Sequence, residues 1–74
     1  GSAIASVSLA GTLLSLMITN GLANGVFNLL ESTNVLFTPF TTNQSGTFDG
    51  SGNANVTVTN MGGDNFLRVA EPTP

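Results

Sequence analysis

The 74 residues carry one basic side chain, Arg68, four carboxylates, no His and no Cys, for a net charge of −3. That composition withholds the usual general bases, activated nucleophiles, disulfides and zinc ligands, so no catalytic, metal or cofactor residues are expected and the protein reads as a non-enzyme. With so little positive charge, nucleic-acid binding is excluded too, and charged residues at 7%, against about 25% in ordinary soluble domains, point to a surface that is covered by protein partners.

The first thirty residues contain no charge. Val7, Leu9, Leu13, Leu14, Leu16, Met17, Ile18, Leu22, Val26, Phe27, Leu29 and Leu30 recur at three- and four-residue spacings, over a run too long for one strand, and so predict a helix. Ser8, Thr12, Ser15 and Thr19 follow at steps of four, three and four, which would draw a thin polar seam along it. Gly11 and the pairs Asn20-Gly21 and Asn24-Gly25 predict a kink or a break near residue 20. The uninterrupted apolar portion is too short for the roughly 20 residues of a membrane span, and no Lys or Arg flanks it. Nor is there the basic segment of a signal peptide, so the expectation is an already processed product.

Composition shifts near Ser32 to Thr, Asn, Gly and Phe. Residues 34–40 are expected to be extended, with Pro39 marking an edge or an end of that strand, and residues 41–46 to form a loop. Thr47-Phe48-Asp49 reads as a short strand and Gly50 to Asn53 as a turn. Residues 54–60 alternate, with Ala54, Val56 and Val58 on one face and Asn55, Thr57 and Thr59 on the other. Together with a loop over 61–64 and a return strand over 65–70, they predict a β-hairpin. Residues 71–74 are expected to be a tail.

Of the carboxylates, Asp49 and Asp64 both fall in turn-forming stretches, where a solvated Asp is the better reading than a catalytic dyad. Asp49, Ser51 and Asn53 resemble the first half of a calcium loop, but Ala54 and Asn60 stand where Gly and Glu are required. Asn43-Gln44-Ser45 and Asn55-Val56-Thr57 match the N-glycosylation pattern. Arg68 is expected to face Glu71, Asp64 or Glu31.

The expected fold is therefore α+β: residues 1–31 a long apolar helical assembly arm, residues 32–74 a small antiparallel β half with a Pro-containing tail. A chain of this size, without disulfides or a metal, is expected to gain stability by oligomerising. The interface would be Val7, Leu9, Leu13, Leu14, Leu16, Met17, Ile18, Leu22, Val26, Phe27 and Leu30. In layout, an uncharged N-terminal helix before a Thr/Asn-rich β half resembles a type IV pilin, particularly the archaeal kind. The resulting expectation is a structural subunit that polymerises with copies of itself, without a small-molecule substrate, in an extracellular or cell-surface filament or coat. The alternative is a small internal capsid peptide of a non-enveloped virus, in the virion, whose arm contacts and perturbs membranes. The myristoylation pattern fails at Ala5.

Overall fold

The computed structural model describes residues 1–59 and 65–72. Over these the protein is all β, six strands in two three-stranded antiparallel sheets. The strands are β1 (Ala3–Ala10), β2 (Leu13–Thr19), β3 (Val26–Ser32), β4 (Thr41–Thr47), β5 (Ala54–Thr59) and β6 (Phe66–Ala70). One sheet has the order β1-β2-β5 and the other β4-β3-β6.

The predicted N-terminal helix is absent, and with it the α+β class. Residues 3–30 fold as β1, β2 and most of β3. Gly11 sits at the first position of a two-residue hairpin loop with φ 63°, the conformation a type II′ turn requires there. Asn20 and Asn24 adopt φ 65° and 60° and carry the chain from one sheet to the other, so the break expected near Asn20-Gly21 separates two strands rather than two helices. Alternation then places Leu14, Leu16 and Ile18 on the inner face of β2 and Leu13, Ser15, Met17 and Thr19 on the outer face. A bulge between Ile4 and Ser6 gives β1 one extra residue and keeps Ile4, Val7 and Leu9 opposite Ile18, Leu16 and Leu14.

Later assignments also change. The expected strand at 34–40 is a loop, and the expected loop at 41–46 is the body of β4. Thr47 ends β4, and Phe48 leaves the sheet to enter the core. β5 alternates as expected, but it pairs with β2 while β6 pairs with β3, so 54–70 is not a hairpin. The loop expected at 61–64 lies outside the described residues, as do Asn60 and residues 73 and 74.

The core is two adjoining clusters between the sheets. Leu16, Leu29 and Val58 form one, and Ile18, Phe27 and Phe48 the other. The rings of Phe27 and Phe48 meet at 4.8 Å between centroids, tilted by 40°, a favoured aromatic geometry. Two glycines leave room for them: a β-carbon on Gly46 would stand 2.7 Å from Phe27 Cζ, and one on Gly21 2.5 Å from the Phe48 ring. The two crossovers below this cluster are tied by Gly21 N–H to Gly52 O at 2.9 Å and Asn24 N–H to Asp49 O at 3.0 Å.

Both central strands, β2 and β3, precede Thr33, while β4, β5 and β6 follow it. A peptide of residues 33–74 retains only strands whose partners have been removed and is expected to be unfolded, because isolated short strands lack both a ladder and a covered face. Circular dichroism and amide dispersion check this, and a cooperative thermal transition in that peptide would contradict it. On β5, Val58 is buried, Val56 half-buried and Thr57 exposed. Val58→Thr is therefore expected to cost about 1–3 kcal/mol for its unpartnered hydroxyl, Val56→Thr less, and Thr57→Val almost nothing. Urea midpoints of the three variants give the order.

Candidate functional site

Among the described residues the carboxylates and Arg68 do not converge on one site. Among the described residues no three His, Cys, Asp or Glu side chains come together as a metal site. Asp49 Oδ1 accepts hydrogen bonds from Ser51 N–H at 2.8 Å and Asn53 N–H at 2.9 Å, so its carboxylate organises its own turn. These donors, Asn53 first and Ser51 second, hold its pKa below the ordinary value of 3.8. A depressed pKa in the folded state means the turn gains stability from the ionised form above the unfolded value, and loses it as pH falls through the lower folded value. An NMR titration of the Asp49 carboxyl is expected to show a midpoint below 3.8. Asp64, the other turn carboxylate named from sequence, lies outside the described residues. Arg68 lies over the Phe37 ring, 5.2 Å from its centre, a cation–π contact; of the carboxylates expected to face it, Asp64 lies outside the described residues.

That contact belongs to a well-tied loop, residues 33–40, folded over the outer face of β3. The buried Ser32 hydroxyl donates to Pro39 O at 2.7 Å and accepts from Asn34 N–H at 3.0 Å. Asn34 accepts from Leu36 N–H at 2.8 Å and donates to Thr38 O at 3.1 Å. Phe37 takes φ 54°, and the Thr38-Pro39 bond is cis. Leu30, on the outer face of β3, is buried. Held outward at the loop's other side are Val35, Leu36 and Phe40, with Leu36 77% exposed. Nothing in the sequence signalled this, because Asn34 to Phe40 is rich in strand-favouring residues; only the side-chain bonding of Ser32 and Asn34 explains the turn.

Two openings flank these features. A cleft of about 260 Å³ lies between Glu31, Thr33, Phe40 and Asn65, and a polar groove of about 440 Å³ runs along the neighbouring edges of β4 and β5. Gln44 bridges these edges, donating from Nε2 to Thr57 O at 2.9 Å. On the outer face of the other sheet, Ser8, Ser15 and Thr57 form one row of hydroxyls across three strands.

The residues expected to form an assembly interface divide by environment. Leu16, Ile18, Phe27 and Leu30 are buried within the protomer, and Leu14 and Met17 are half-buried. Val7, Leu9, Leu13, Leu22 and Val26 are exposed, with Val7 and Leu9 at one edge and Leu22 in the crossover. Both glycosylation candidates are exposed, Asn43 at the bulge of β4 and Asn55 on the outer face of β5.

The arrangement is that of a small two-sheet antiparallel β-sandwich. Compared with family models, curated proteins and solved structures, the chain gives no match.

Proposed function

We propose that the protein is a non-enzymatic structural subunit that joins copies of itself into an extracellular or cell-surface filament or coat. The observation that carries this reading is the exposed apolar surface. Among the described residues nine large apolar side chains, from Val7 on β1 to Phe66 on β6, are exposed, on a chain of which 7% is charged. A lone soluble monomer covers such surface poorly, whereas contact with neighbours removes it from water. Among the described residues the edge strand β1 adds backbone donors and acceptors suited to the same purpose.

Residues 3–30 form strands and no N-terminal helix, so the chain does not have the layout of a type IV pilin. The membrane-perturbing capsid reading depended on the same amphipathic arm and loses its basis with it. Among the described residues no helix is long and apolar enough to cross a membrane.

Sedimentation velocity over a wide concentration range, with electron microscopy of the concentrated protein, tests the proposal. Regular oligomers or polymers are expected. A species of 7.5 kDa at every concentration would overturn it.

A further inference from the structure

We infer that one contact between copies, the one that joins them in pairs, is made by the free edge of β1, pairing antiparallel with β1 of a second copy about a two-fold axis at Val7. This rests on the subunit reading above and names one of its interfaces; a filament or coat needs a second contact to join the pairs.

β1 is eight residues long, stands at the end of its sheet, and contains neither a charge nor a proline. Natural edges usually carry one of those to prevent pairing. Its inward-facing Val7 and Leu9 remain 57% and 58% exposed, although the residues opposite them on β2, Leu16 and Leu14, are buried and half-buried. Apolar surface is thus left open at the place where a neighbouring strand would lie.

The sequence of β1 is complementary to itself in one register. With Val7 opposite Val7 of the second copy, Ser6 meets Ser8 on the outer face. The bulge that skips Ala5 then brings Ile4 opposite Leu9 on the inner face. Every pair is apolar with apolar or hydroxyl with hydroxyl, and the two-fold axis repeats each pair, as an isologous contact requires. A one-residue slip would set Ser6 against Val7 and mix the two faces. No ionisable group lies on the strand to oppose the approach of an identical one.

The other edges fit less well. β6 carries Arg68, which a two-fold copy would bring near its twin. β4 is wholly polar and β5 is bridged to it by Gln44.

The chain has no cysteine of its own, so Val7→Cys supplies a single reporter. In this register the two Cα atoms lie about 4.5–5.5 Å apart, within disulfide reach. Mild oxidation is expected to convert Val7→Cys to a covalent dimer much faster than Thr57→Cys, an exposed position on the outer face of β5. Val7→Lys, at a site exposed enough to keep the fold, is expected to abolish the dimer seen by sedimentation while its circular dichroism matches the wild type. Equal cross-linking of the two cysteine variants overturns the register. Assembly undiminished by Val7→Lys overturns the β1 contact and leaves the subunit reading standing. A wild type that never exceeds 7.5 kDa overturns both.

Discussion

Leu16→Asp is expected to unfold the protein rather than to release otherwise intact subunits. Leu16 is 2% exposed and packs with Leu29 and Val58 between the sheets, while its strand neighbours are Val7 on β1 and Val56 on β5. Ile4, Leu14, Val56, Leu67 and Val69 pack around the margin of that cluster. The substitution loses the burial of a leucine, about 2–5 kcal/mol when such side chains are truncated, and adds the cost of an unpaired carboxylate in an apolar site. A domain of this length holds about 4–11 kcal/mol in total. Circular dichroism and thermal melting are expected to show no cooperative transition at 25 °C and above. A melting curve close to the wild type's would mean that the two sheets do not close over Leu16. Asn24→Asp is expected to be mild by comparison, because Asn24 is exposed and Asp also tolerates its φ of 60°.

Gly52→Ala is expected to destabilise by about 3 kcal/mol, a combination of left-handed strain and enforced backbone movement. Gly52 has φ 79°, and a β-carbon there would stand 2.3 Å from Gly21 O. That oxygen is backbone and has little freedom to move, since Gly21 N–H is bonded to Gly52 O and its α-carbon lies under the Phe48 ring. At about 4–8 °C per kcal/mol for a domain of this size, the melting temperature should fall well outside error. Gly50→Ala is the matched comparison, because its β-carbon would meet nothing within 4 Å, and it is expected to stay within about 0.5 kcal/mol of the wild type. Equal effects at the two positions would indicate that the crossovers are not locked together.

Parts of this fold were legible in the sequence for definite reasons. β5 alternates cleanly because one face is covered and the other wet, and Gly50 to Asn53 carries the chemistry of its turn in Asp49 and the glycines. β2 was misread because its outer face holds Leu13 and Met17 between Leu14, Leu16 and Ile18, so the period of two is filled in and helical spacings result. β4 has no large apolar side chain. Its pairing with β3, and the room Gly46 leaves for Phe27, are tertiary facts that no local pattern expresses. The candidate surface was half legible: the uncharged, apolar character of residues 1–30 is plain in the sequence, but which of those side chains stay exposed depended on β1 being an edge and β2 not.

The order of the strands also sets how the chain must fold. Hairpins β1-β2 and β3-β4 can close early, since their partners are near in sequence. Yet Leu16 must wait for Val56, and Leu29 for Val69, before either central strand is flanked on both sides. Such distant pairings place an all-β domain in the millisecond-to-second range of folding times. During that interval β2 and β3 each present an unsatisfied side to every other chain in solution. No charged gatekeeper stands anywhere before Glu31 to discourage a wrong partner. Refolding yield should therefore fall as protein concentration rises, because association of unfinished chains competes with completion of the two sheets.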